Sequence, residues 1–95
     1  PLGPWIVARR GVDGAADLEI TTTVNGEVRQ HGSTAEMVHS VPELIAHVSA
    51  FTTLLPGDVI LTGTPAGVGP MEPGDTVAVS ISGIGTLSNP VVAEE

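Results

Sequence analysis

The chain reads as a mostly β fold with one main α-helix, an α+β arrangement, and three stretches predict it. Leu18, Ile20, Thr22 and Val24 alternate with Glu19, Thr21 and Thr23, and Asn25-Gly26 follows at once. Period-two patterning ahead of Asn-Gly is the signature of a half-buried strand entering a hairpin through a type I′ turn. Thr76–Ser82 alternates in the same way, with Val77, Val79 and Ile81 on one face. Between these strands, Val41, Leu44, Ile45, Val48, Phe51 and Leu55 recur at helical spacing and form an apolar stripe.

In chain order, Trp5-Ile6-Val7-Ala8 is a short strand candidate ended by Arg9-Arg10-Gly11, and Gly11 to Asp17 is a loop. Leu18–Val24 is the first hairpin strand. Glu27 to His31 returns as its partner, and Gly32 and Ser33 close the hairpin. Thr34 to His39 fits a short helical turn. Ser40 reads as an N-cap, with Glu43 three residues on completing a capping box and Pro42 in the first turn, where its missing N–H costs nothing. The helix is expected from Val41 to about Thr53, packed on a sheet. Pro56-Gly57-Asp58 is a turn, and Asp58-Val59-Ile60-Leu61 reads as a buried strand. Pro73-Gly74-Asp75 repeats the turn chemistry without implying a sequence repeat. Gly83-Ile84-Gly85 turns the chain, and Thr86–Val92 is a last strand that Pro90 places at an edge or an end.

Composition narrows the function classes. The 95 residues suffice for one small domain, with one Trp, one Phe and no Tyr, so any core is built from Val, Ile, Leu and Ala. There is no Cys, which removes disulfides and thiolate metal sites. The net charge is −8, and the only basic residues besides histidine are Arg9, Arg10 and Arg29. So little positive charge argues against a nucleic-acid partner. No apolar run reaches membrane-spanning length and no signal peptide is evident, so a cytoplasmic protein is expected. The chain enters an apolar run directly from Pro1-Leu2-Gly3-Pro4, as a chain cut from something larger would.

Chemistry is expected first at Thr62-Gly63-Thr64-Pro65-Ala66-Gly67-Val68-Gly69. Glycines let this backbone turn tightly and approach another group, and Pro65 restricts both itself and Thr64. Free N–H groups and threonine hydroxyls at a strand end can hold a carboxylate or enolate oxygen. The competing reading is a plain turn. The spacing is neither that of a dinucleotide loop nor, with no Lys following, that of a Walker A loop. His39 and His47 lie eight residues apart, without the i,i+4 spacing of a helical metal pair, and with His31 they read equally as surface or hydrogen-bonded residues. Asp17-x-Glu19, with Glu27 across the hairpin, offers a possible divalent-metal cluster or a solvated acidic face. Arg9-Arg10 offers a carboxylate-binding pair or a solvated one.

Several blocks together carry a resemblance: Pro4-Trp5-Ile6-Val7, Val24-Asn25-Gly26-Glu27-Val28-Arg29-Gln30, Ser40-Val41-Pro42-Glu43-Leu44-Ile45 and Leu55 through Gly69, then Gly83 through Val91. In this order, and over nearly the whole chain, they resemble the fumarylacetoacetate hydrolase family, and the G-D-V-I-L-T-G-T-P-A-G-V-G block is the most specific of them. The resemblance implies part of a mixed β-roll fold and a larger, usually homodimeric, catalytic domain. It also implies Mg²⁺ or Mn²⁺, sometimes Ca²⁺, and small 2-oxo or diketo acid substrates. Implied reactions are acylpyruvate-type C–C hydrolysis, oxaloacetate-type decarboxylation and hydroxy-dienedioate isomerisation, which share metal stabilisation of an enolate.

The same resemblance implies absences. The family's metal-binding E-x-E pair, its Asp ligand, its active-site Lys and its His-bearing lid precede the P-L-G-P-W block, and Asp17-x-Glu19 follows it. Only Thr64 carries over, as a substrate contact, with Gly63 shaping its turn. Residues 1–95 are therefore expected to be the C-terminal fragment of a single catalytic domain, holding one wall of the site, no metal, and no activity alone. The alternatives are a free-standing non-catalytic binding module and an accessory subunit of a split enzyme.

Overall fold

The structure, a computed structural model, describes residues 1–8 and 15–94. The Arg9-Arg10 pair and the first part of the loop expected after it lie outside the described residues. Among the described residues the fold is a four-stranded antiparallel sheet with one α-helix, the α+β class expected. Strand β1 runs Glu19–Val24, β2 Glu27–Ser33, β3 Thr76–Ile81 and β4 Gly85–Pro90, in the order β2-β1-β3-β4. Helix α1, Val41–Ser49, lies between β2 and β3 in sequence.

The β1–β2 hairpin forms as its turn chemistry dictates. Asn25 at φ 53° and Gly26 at φ 81° both take the positive φ of a type I′ turn. Asn25 also ties this turn to the neighbouring strand. Its backbone N–H donates to the Thr76 carbonyl at 2.8 Å, its Nδ2 to Asp75 Oδ1 at 2.8 Å, and its Oδ1 accepts from the Thr76 N–H at 2.9 Å. Strand β2 runs two residues beyond His31: Gly32 pairs with Ile20 and Ser33 with Glu19, so these residues continue the ladder instead of closing it.

One irregularity matters later. Val24 faces Glu27 and Thr23 faces Val28, but Thr22 faces Gln30, which leaves Arg29 as the extra residue of a β-bulge.

The expected apolar faces meet in the sheet. Ile20 pairs with Ile81, Thr22 with Val79 and Val24 with Val77, and Leu87 of β4 continues the same row opposite Val79. Val24, at 5% exposure, is the buried member; its neighbours are half-buried. At the far side, β4 is an edge strand, where Pro90 is tolerated, and backbone bonding continues past it: the Val91 N–H donates to the Asp75 carbonyl at 2.7 Å.

Three expectations are corrected. Trp5–Ala8 and Asp58–Leu61 join no ladder, and Ile6 and Leu61 stand 98% and 90% exposed. Apolar β-branched runs report a tendency toward burial; pairing needs a partner strand that local sequence does not supply. Trp5 instead donates its indole N–H to the Ile84 carbonyl and lays its ring against Gly85, beside β4. The helix stops at Ser49, four residues early, and Phe51 is 81% exposed beyond it. Within α1 the stripe residues Val41, Leu44 and Val48 are half-buried and none is fully buried, so the helix closes no tight core against the sheet.

Local signals held elsewhere. Thr34–Glu36 forms a 3₁₀ turn, with Ser33 Oγ accepting from the Ala35 N–H. Ser40 Oγ accepts from the Glu43 N–H at 3.3 Å, the cap half of the capping box. The Glu43 carboxylate turns instead to His39 Nδ1 at 3.3 Å. Both Pro-Gly-Asp triplets build the same turn, with Gly57 at φ 93° and Gly74 at φ 96°. In each, the aspartate carboxylate accepts a backbone N–H three residues back, from Leu55 at 2.8 Å and Glu72 at 2.9 Å. Among the described residues no helix is long and apolar enough to cross a membrane.

Candidate functional site

The Thr62–Gly69 loop is exposed along its length and lies against the edge strand β2. Gly63 at φ 91° and Gly67 at φ 108° occupy backbone conformations that side chains rarely adopt. At Gly67 the requirement is also steric, because a Cβ there would collide with the Arg29 carbonyl oxygen. Three residues along β2, a Cβ on Gly32 would stand 3.5 Å from the Pro65 ring, in ordinary contact.

A side-chain bond completes the docking. Gln30 Nε2 donates to Thr64 Oγ1 at 2.8 Å and to the Pro65 carbonyl oxygen at 2.8 Å. The sequence places Gln30 in the returning hairpin strand and in one of the blocks of the resemblance, with no role of its own. Nothing local signals a contact across 34 residues, and the bulge at Arg29 is invisible in the alternation.

Beside this loop opens a cleft of about 550 Å³. Thr62 through Ala66 form one wall, Met37, Val41 and Leu44 another, and Ile20 and Gly32 the floor. The cleft thus joins hydroxyls and a Gly-rich backbone to apolar side chains, with Glu36 and His39 also in its lining, a mixture common to small-molecule sites.

Of the other candidates His39 also lines the cleft, and Asp17, Glu19, Glu27, His31 and His47 do not. Asp17 precedes β1, and its Oδ1 accepts from Ser33 Oγ at 3.0 Å. Glu19 and Glu27 stand at opposite ends of the hairpin ladder, facing Ser33 and Val24. His31 Nδ1 meets Thr21 Oγ1 at 3.0 Å, His39 pairs with Glu43, and His47 packs edge-on against Phe51 with ring centroids 5.3 Å apart. Among the described residues no three His, Asp or Glu side chains gather as a metal site would require. These residues by themselves do not fit a divalent cation, which needs several oxygen ligands held together. The resolved electrostatic shift lies away from the cleft. The Glu72 N–H and then the Asn25 amide hold the Asp75 carboxyl below its ordinary value, with Arg29 adding a smaller attraction.

Comparison with known proteins agrees with this geometry. The model of the fumarylacetoacetate hydrolase C-terminal region matches residues 1–92. The 4-hydroxyphenylacetate degradation bifunctional isomerase/decarboxylase of Salmonella dublin is 50% identical over 95 residues, covering 100% of this chain and 22% of that protein. The crystal structure of 5-carboxymethyl-2-hydroxymuconate delta-isomerase from Mycobacterium smegmatis superposes with a TM-score of 0.89 at 56% identity, over 99% of this chain and 36% of that one. Maleylpyruvate hydrolase from Sphingobium sp. SYK-6, in complex with manganese(II) ion and pyruvate, superposes with a TM-score of 0.93 at 41% identity, over 98% of this chain and 35% of that one. The chain spans well under half the length of each of these relatives. With its sheet, helix and Gly-rich loop all within the matched region, the chain belongs to the fumarylacetoacetate hydrolase family.

Proposed function

We propose that residues 1–95 are the C-terminal part of a single catalytic domain and supply one wall of the active site of a divalent-metal-dependent enzyme acting on small 2-oxo or diketo acids. The observation that carries the reading is the placement of Thr64. It stands on the cleft, on a loop held by Gln30, in a fold shared with a maleylpyruvate hydrolase bound to manganese(II) and pyruvate. In this reading Thr64 contacts a carboxylate or keto oxygen of the substrate, and the positive φ of Gly63 shapes the turn that presents it. The metal, Mg²⁺ or Mn²⁺, is held by residues outside this chain, and the intact enzyme is a cytoplasmic homodimer. Relatives that are isomerase/decarboxylases and maleylpyruvate hydrolases support the reaction class, whether hydrolysis, decarboxylation or isomerisation.

The test uses the full-length protein with Mn²⁺ and a panel of oxaloacetate, an acylpyruvate, maleylpyruvate and a hydroxy-dienedioate. Turnover of at least one substrate, abolished by chelation and restored by metal, is the expected result. Metal-independent binding with no turnover of any member would instead favour the non-catalytic module.

A further inference from the structure

We infer that Gln30 is a positioning residue for Thr64: its amide engages the Thr64 oxygen and thereby turns the hydroxyl proton toward the cleft, as a donor for an anionic ligand oxygen. The inference rests on the reading of Thr64 as a ligand contact.

The orientation of the Gln30 amide follows from its second partner. The Pro65 carbonyl oxygen can only accept, so the atom 2.8 Å from it must be the NH₂ nitrogen. That same nitrogen is 2.8 Å from Thr64 Oγ1, and its two hydrogens serve the two oxygens, one each. The Thr64 oxygen is therefore an acceptor on that side. Swinging its own proton back toward Gln30 would set donor against donor. The hydroxyl is left to donate away from β2, and Thr64 lines the cleft.

The bulge is what delivers Gln30 to this place. Val24 faces Glu27, and that register continued without interruption would set Arg29 opposite Thr22. The extra residue sets Gln30 there, on the face it shares with Gly32 and with Ile20 of the cleft floor. A one-residue shift moves every following side chain to the other face of a strand. Here it exchanges a long cation for an amide that can donate to two oxygens at once, while the Arg29 carbonyl receives the close approach of Gly67.

A double-mutant cycle on the full-length protein decides the matter, with pyruvate as probe in the presence of Mn²⁺ and the dissociation constant read by calorimetry. Thr64→Val and Gln30→Met should each weaken pyruvate binding about tenfold, the scale of one hydrogen bond to a charged group. The double variant should bind no more weakly than the weaker single, because Gln30 acts through the hydroxyl that Thr64→Val removes. Effects that multiply would mean that Gln30 acts on the ligand independently of the Thr64 hydroxyl, and that result would overturn the inference while leaving the Thr64 reading intact. Unchanged binding in Thr64→Val, or no pyruvate binding by the unmodified protein, would overturn both. If Gln30→Met fails to fold, Gln30→Asn enters the same cycle, since it keeps the amide but is one methylene too short to reach both oxygens.

Discussion

At Thr64 and at Asp75 a single side chain carries a prediction of its own. If Thr64 donates to a charged substrate oxygen, Thr64→Val removes about 1.5–3 kcal/mol of interaction while keeping the β-branched shape. That predicts a fall of roughly ten- to a hundredfold in kcat/KM for the full-length enzyme, with thermal stability little changed. Steady-state kinetics beside a melting curve checks it. Asp75 makes a prediction of a different kind. Its folded carboxyl titrates lower than the unfolded one because it accepts from the Glu72 N–H and the Asn25 amide. The bonus to stability is therefore complete above about pH 4 and disappears as the pH falls through the lowered folded value. Unfolding measured across the acid range should show a steeper loss for the native protein than for Asp75→Asn, which has no charge to lose. At this scale the tight turn at Thr64 was legible, because its Gly-Thr-Pro setting is local. Gln30 was not, because its role depends on a bulge and on a loop 34 residues away.

Among the elements, those specified by adjacent residues formed where they were read. Asn25-Gly26 made its turn, Ser40 capped α1, and both Pro-Gly-Asp triplets closed with the aspartate carboxylate turned back on the chain. The misread elements needed distant partners. Asp58–Leu61 has strand composition but no neighbouring strand, and the helical stripe beyond Ser49 has no surface to cover. The hairpin turn supplies a test of local against non-local stabilisation. Asn25→Gly tolerates the positive φ equally well, but it deletes the side-chain bonds to Asp75 and Thr76. A loss of about 1–3 kcal/mol by chemical denaturation is expected, from two bonds worth 0.5–1.5 kcal/mol each. A neutral substitution would show that the turn conformation alone sets the hairpin.

For the molecule as a whole, the sheet half-buries one apolar face while much of the remaining apolar surface meets solvent. Val24 is the one buried hydrophobic among the described residues; Leu2, Ile6, Val38, Phe51, Leu61 and Val92 stand open. Stability comes mainly from apolar area removed from water, so residues 1–95 expressed alone should be marginal, bind the dye ANS and self-associate. Dye fluorescence and size-exclusion chromatography check this, and a dye-silent monomer with a sharp melting transition would contradict it. The position of the Gly-rich loop against β2 has a further consequence, for the order in which the ribosome delivers these parts. β1 and β2 leave the exit tunnel as neighbours joined by a tight turn, and hairpins of that kind close in about 1–10 μs. Synthesis proceeds at only about 5–20 residues per second, so the hairpin and its bulge have ample time to form before Thr62 emerges. Gly67 then emerges onto a hairpin that opens and recloses many times, because two strands alone are marginally stable, and β3 locks that hairpin only after the loop has been made.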